Sequence, residues 1–586
     1  MRFRTFPTLL ILLLGACRSG GASGESVVAP WPEALRTEVW VDVAAAGEGE
    51  GTRERPWGSL RDALARPGPL TVYLAAGEYL GSIEVSGDVR LEGQGAATVL
   101  GGAGVRVAGE GRVVLRNLSV RGGGWGVEVS GGGQVQVERV GFVGQREGAV
   151  RVTSGRFEAA QTRFETSGET VGVLLDGTVE DGAARAGTQE APAPRDARQV
   201  RSKRAQGEAA ARVGARDAPV PQDARQLPSM RVVAGDAALQ GTALPTGYTG
   251  GETSGWSPKE ERGRGPVKSS GPPRQEAWLS GVTFTGPFRR AVRIRGPEAR
   301  ATLKDIRFLG AVTAVGMDGG HAEIRHSVAE GHQGTAFSVV EGVMSLEDVR
   351  ARGHEVSVSA MRVPRLEVRG LLSVGATRAG LSVGASTGVL LEDVVVRDSG
   401  SHGALHFSGS EVKARRLRVE GATEYGVVAV GGSLELRGIT VASVRSNDGI
   451  TGEGLHLRQV RAEVENAVVR ETAGACVFAA QNARVVLRDA ELSRCGQSAL
   501  AVDTRARLDA TGVEARGTQE AALAAMAGGE LRVDALIARK TRRGLVSVEC
   551  TGDTRVKLGR VHTDDDRGMA APCVERLATE AVPGPR

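Results

Sequence analysis

Asp393, Asp398, His402 and His406 fall inside one short stretch, "EDVVVRDSGSHGALHFSG". Carboxylates and imidazoles are the side chains best suited to pass protons near neutral pH. These four are therefore the candidate catalytic residues. A carboxylate pair that cleaves a glycosidic bond needs a fixed separation of roughly 5–9 Å, and no pair here is fixed by spacing alone. His321, His326, His332 and His354 form a looser group, with His321 and His326 five residues apart. They are the only candidate metal ligands, and the sequence offers no pattern of supporting residues around them.

Other carboxylates recur in a single slot. Asp305, Asp348, Asp393 and Asp489 each precede the middle aliphatic residue of a repeating motif, and Asn117 and Asn466 occupy the same place. An active site should be a singular cluster, whereas a residue type repeated in one slot is a column. Asn and Asp tolerate a left-handed backbone and bond to their neighbours, so the column reads as a turn ladder.

The motif itself is an aliphatic residue, two residues, an aliphatic residue, one residue and a third aliphatic or aromatic residue. It appears as Leu115-Leu118-Val120, Val137-Val140-Phe142, Leu279-Val282-Phe284, Leu303-Ile306-Phe308, Leu391-Val394-Val396 and Leu436-Ile439-Val441. A second alternating run accompanies it, as in "GALHFSG", "GVVAVGG" and "GLHLRQ", and most intervals are 21 to 25 residues. Such a unit holds three short strands and three turns, with alternate side chains facing inward. One unit cannot bury that face alone, but stacked units can. About eighteen coils at roughly 4.8 Å each would make a rod on the order of 85 Å.

Composition agrees. Gly is 84 of 586 residues and aromatics are 4%, which suits a turn every few residues around a narrow aliphatic core. The chain carries 74 basic and 69 acidic residues, a net +5 spread along its length. Without a clustered basic and aromatic face, nucleic acid is not an expected partner.

The coil pattern is similar to that of right-handed parallel β-helix proteins of the pectin-lyase-like superfamily, and the resemblance covers nearly all of residues 38–575. It implies an all-β fold: a right-handed, single-stranded parallel β-helix. The stretch "GTRERPWGSLRDAL" followed by "VYLAAGEYLG" resembles that family's N-terminal cap, a loop leading into one plugging helix. Ser59 would cap this helix, and Leu60, Ala63 and Leu64 would form its apolar stripe. Ser401-His402-Gly403 resembles the Gly-His-Gly of polygalacturonases. The chain departs from that family elsewhere: its Asn-x-Asp, Asp-Asp and Arg-x-Lys segments are not found around these residues, and Asp564-Asp565-Asp566 lies at the far end.

Residues 178–277 interrupt the coils with a tract rich in Ala, Arg, Pro, Gly and Asp, expected to be a mostly disordered insertion. At the other end, Met1-Arg2-Phe3-Arg4 and the apolar run Leu9 to Leu14 have the layout of an export signal too short to span a bilayer. The sequence "LLGAC" resembles a bacterial lipobox, which implies cleavage after residue 16 and diacylation of Cys17. Two or three acyl chains would hold the chain on a membrane. Export makes Cys476, Cys495, Cys550 and Cys573 candidates for two disulfides, between neighbours 19 and 23 residues apart.

The expected organisation is a signal peptide (1–16), a lipidated Cys and flexible tether (17–37), a cap and first coils (38–177), the insertion (178–277), the main β-helix (278–575) and a tail (576–586). The expected function is non-catalytic binding or scaffolding of a polysaccharide or another component of the bacterial envelope, at the outer membrane. The other reading is a polysaccharide lyase, glycoside hydrolase or epimerase. No cofactor is expected for a binding protein; a lyase of this superfamily could use calcium.

Overall fold

The computed structural model describes residues 36–46, 49–102, 104–178 and 274–577. The expected signal sequence, Cys17 and nearly all of the 178–277 tract lie outside the described residues.

The described chain forms 42 strands with one short α-helix, and its ladders are parallel. It is a parallel β-helix. Each coil contributes one strand to each of three sheets, and each strand pairs with its equivalent in the next coil. One coil shows the rule. Val343–Arg352 carries the first two strands, broken at Asp348, and Val356–Met361 is the third. Burial alternates along them, with Met344, Leu346, Val349, Ala351, Val358 and Ala360 inside.

The bend between the first and second sheets is a single left-handed residue. Asn117, Asp305, Asp348, Asp393, Asn466 and Asp489 all sit there, with φ between 50° and 57°. Gly281, Gly370, Gly438 and Gly512 take the same position where glycine is supplied. This is the slot that recurs in the sequence. Arg139, His326, Arg416 and Ala535 also adopt it, at a cost of roughly 1–2 kcal/mol each that the stacked ladders on either side must offset.

Inside, the core is Val, Leu, Ile and Ala, with the phenylalanines concentrated in one region. Phe142, Phe164, Phe284 and Phe308 stack in successive coils with ring centroids 4.9, 4.7 and 5.2 Å apart. The stack passes across the interruption in sequence. Gly155–Ala160 pairs directly with Gln275–Ser280, and Val171–Asp176 pairs with Arg290–Arg295. No rung is skipped, and the later strand starts at Gln275, slightly before the boundary at 278.

At the N-terminal end Leu60–Leu64 forms the helix, with Ser59 Oγ accepting from the Asp62 amide. Leu60 and Ala63 are buried and Leu64 packs against the core. Trp57 donates from Nε1 to the Gly49 carbonyl at 2.8 Å, and Arg66 lies 4.1 Å over its ring. The loop and helix thus cover the first coil's apolar interior and strand edge. Near the other end, disulfides join Cys476 to Cys495 and Cys550 to Cys573.

Candidate functional site

The four candidate residues of "EDVVVRDSGSHGALHFSG" part company in the fold. Asp393 is at the bend between the first and second sheets. Arg416, one coil on, grips it with Nε to Oδ1 at 2.7 Å and a second nitrogen to Oδ2 at 2.9 Å. Those hydrogen bonds hold its carboxyl below the usual range, so Asp393 is a fixed anion of the ladder. Asp398 occupies the next bend, with φ 52°. His402 is exposed in the turn that follows, and His406 points outward from the third sheet. The two histidines share a face; the two aspartates are at the corners.

That face is a single column of outward residues. Strand register aligns Arg293, Gly316, Ser338, Ser359, Ser382, His406, Val428, His456, Phe478, Ala501 and Ala524, one per coil. Its middle is aromatic. The His456 ring lies 4.8 Å from Tyr425 and 5.2 Å from Phe478. Beyond, Ala475, Ala501 and Ala524 form a small apolar cluster with Phe478, separate from the main core. A loop at 446–452 borders this region. Asp448 fixes it by accepting from the amides of Ile450 and Thr451, each at 2.8 Å. Glu424 accepts from the Asn447 amide at 3.0 Å and from the Thr451 hydroxyl.

The polar groups here are incompletely satisfied. His456 is 8% exposed, and neither of its ring nitrogens has a hydrogen-bond partner. Its Nδ1 lies 3.5 Å from the Glu453 carboxylate, itself buried. The Arg458 Nε is also buried without a partner. Burial pushes the Tyr425 phenol up, with Glu453 adding to it, so the phenol keeps its proton. Burial lowers His406, and His402 and Arg458 add to that. Burial and then Arg378 lower His402, and an Arg378 nitrogen approaches the His402 Nε2 at 3.3 Å. A neutral imidazole, a protonated phenol and a guanidinium are therefore gathered on one surface.

The other histidines scatter. His326 sits in the bend ladder with Nδ1 3.7 Å from Asp305 and Nε2 3.7 Å from Asp348. His354 is wholly buried at a corner, its Nδ1 3.1 Å from the Gln333 carbonyl. Among the described residues no three His, Cys, Asp or Glu side chains are placed to hold a metal ion.

Tyr425, Glu453, His456, Arg458 and Phe478 are the residues that the sequence reading passed over. His456 lies within "GLHLRQ", one of the alternating runs that reveal the repeat. Aligning the runs coil on coil, outward positions against each other, would have put His406, His456 and Phe478 in one file.

No family model matches the sequence, and no curated protein matches it. Solved structures do. A PL6-family alginate lyase, AlyGC, is 9% identical, with 92% of this chain and 100% of that chain covered and a TM-score of 0.32. The A-module of mannuronan C-5 epimerase AlgE6 from Azotobacter vinelandii is 10% identical, covering 88% of this chain and 91% of that one, with a TM-score of 0.20. The catalytic unit of a GH87 α-1,3-glucanase from Streptomyces thermodiastaticus is 10% identical, covering 90% and 69%, with a TM-score of 0.21. Likeness at this level says nothing of shared chemistry.

Proposed function

We propose that this chain is an exported, lipid-anchored protein of the bacterial cell envelope that binds a polysaccharide along its third sheet. One observation carries the binding reading: Tyr425 and Phe478 flank His456, which is buried with no hydrogen bond to either ring nitrogen and only the Glu453 carboxylate 3.5 Å from Nδ1. Leaving buried polar atoms unpaired costs roughly 1–3 kcal/mol each, and a bound ligand is one way such groups are completed. Sugar hydroxyls would pair with the imidazole, while the rings on either side offer the apolar faces that sugars pack against. The export and anchoring part rests on the signal layout and on Cys17, and the two disulfides fit an oxidising compartment.

A second reading has its own support. His406 is held neutral, Tyr425 is held protonated and Arg458 has no carboxylate partner, a set suited to moving protons next to an anionic sugar. The test is a screen of residues 25–586 on acidic and neutral polysaccharides, with and without calcium, reading retention, new reducing ends and unsaturated products. Retention without turnover supports binding. Turnover lost in His406→Ala or Tyr425→Phe supports catalysis. Retention that survives Tyr425→Ala with His456→Ala would remove this surface from either role.

A further inference from the structure

Several arginines bury their Nε without a hydrogen bond. Arg90, Arg116, Arg151 and Arg156 have a carboxylate within 4 Å through the same guanidinium. Arg293 and Arg458 have none among the described residues. Arg458 belongs to the surface around His456. Arg293 is elsewhere on the third sheet, five coils from His406, or roughly 24 Å at about 4.8 Å per strand.

Arg293 faces Leu174 on one neighbouring coil and Gly316 on the other. Gly316 presents bare backbone. A Cβ there would meet Cδ and Nε of Arg290 at 2.9 Å, so the Arg290 side chain lies across Gly316, beside Arg293. The Arg290 side chain too makes no hydrogen bond or ion pair among the described residues. Neighbouring acids offset the pair only in part. Asp176 is shared by Arg151 and Arg295 at 3.5 and 3.7 Å, and Asp318 is exposed opposite Arg295. Burial, followed by the charges of Arg290 and Arg295, lowers the Arg293 pKa, and Asp318 and Asp176 oppose that in part. Ser338 is the next outward residue beyond Gly316.

Two guanidiniums sharing one slot repel each other, and a buried donor without a partner is unfavourable. A compact oxyanion would relieve both, because the guanidinium fork matches carboxylate, sulfate and phosphate oxygens. We propose that Arg290 and Arg293, with Ser338, form a binding site over Gly316 for an oxyanion carried by a ligand. The site does not depend on the Tyr425–His456 surface.

The test is titration calorimetry on the full chain at low ionic strength. The probes are inorganic sulfate, inorganic phosphate, dextran sulfate and uncharged dextran. Dextran sulfate or an inorganic anion should bind, and uncharged dextran should not compete. Arg290→Gln with Arg293→Gln should weaken binding about tenfold or more. Gly316→Leu, which keeps both charges but fills the slot, should weaken it as well, while Arg163→Gln, removing a charge elsewhere, should not. Unchanged melting temperatures would show that the variants fold. Saturation by millimolar inorganic anion assigns the site to free anions; binding of the polymer alone assigns it to a polymer-borne group. The proposal is overturned if no probe binds, or if binding persists in both the double variant and Gly316→Leu. It is also overturned if polymer binding is lost in Tyr425→Ala and kept in the double variant, a result that leaves the polysaccharide reading intact.

Discussion

The His456 imidazole stands against the Tyr425 ring at 64°, with 4.8 Å between centroids. The geometry is that of an aromatic edge-to-face pair, with an energy of about 0.5–1.5 kcal/mol beyond the area it buries. Removing either ring should therefore disturb its neighbour. Tyr425→Ala is expected to weaken polysaccharide retention five- to tenfold, about 1–1.4 kcal/mol, while circular dichroism stays unchanged. A loss of folded signal together with retention would mean that the pair serves the coil and not a ligand.

The pH dependence near neutrality should come from His354 together with His402 and His406, which are lowered as well. Burial lowers the His354 pKa, so the unfolded chain takes up a proton at higher pH than the folded one does. Its contribution to stability is complete above the unfolded pKa of about 6.5 and is lost as pH falls through the folded value. Melting temperature should drop between pH 7 and 5, and His354→Gln should reduce that drop. Glu392 and Asp393 act in a lower window. Hydrogen bonds from Arg415 and Arg416 hold them below the ordinary carboxylate range, so their contribution is present above about pH 4 and fades beneath it. A profile that is flat from pH 7 to 5 in the native chain would contradict the assignment to the histidines.

The two disulfides close short segments, with partners 19 and 23 residues apart. Each is expected to stabilise the fold by about 3 kcal/mol, mostly by restricting the unfolded chain. Reduction should lower the melting temperature and expose the later coils to protease first. Thiol titration in denaturant should find none of Cys476, Cys495, Cys550 and Cys573 reactive before reduction. Four free thiols in unreduced protein would refute both bridges.

Residues 180–271 should be replaceable. The corner that follows, Gly296–Ala299, joins the third sheet to the first with a few residues between Arg295 and Arg300. A four-residue turn in place of 180–271 should keep the fold, and the shorter connection should add about 2 kcal/mol through closure entropy. A lower melting temperature would mean that the segment packs on the coils.

Cys17→Ser should move the protein from the membrane fraction to the soluble exported fraction and abolish incorporation of labelled fatty acid. Unchanged fractionation would argue that the apolar N-terminal run is an ordinary signal with an incidental cysteine.

The architecture could be read from the sequence because each coil repeats a physical rule: two inward aliphatics, a left-handed Asn, Asp or Gly, then two more. Asp305 and Asp348 recur because a bend recurs, and Ser59 marks the helix start because its hydroxyl meets an orphan amide. The surface around His456 was harder to read. Outward positions follow no composition rule, and the aligned residues come from strands separated by turns of unequal length. Tyr425 pairs with Glu453 across the lengthened 446–452 turn, so a fixed period carries a reader past His456. Spacing in sequence also grouped Asp393 with His406, although one coil separates its three sheets by sharp corners.

The stacked phenylalanines have a consequence for how such a chain can change. Closing a loop of roughly a hundred residues costs about 4 kcal/mol, and Asp176 and Gln275 are separated by about that many positions. Three ring pairs, Phe142–Phe164, Phe164–Phe284 and Phe284–Phe308, bracket that rung, and at about 0.5–1.5 kcal/mol each they return a comparable amount. A rung secured in this way tolerates foreign sequence. It is a natural acceptor site, where a peptide or a whole domain could be spliced in for display while the coils above and below keep their register.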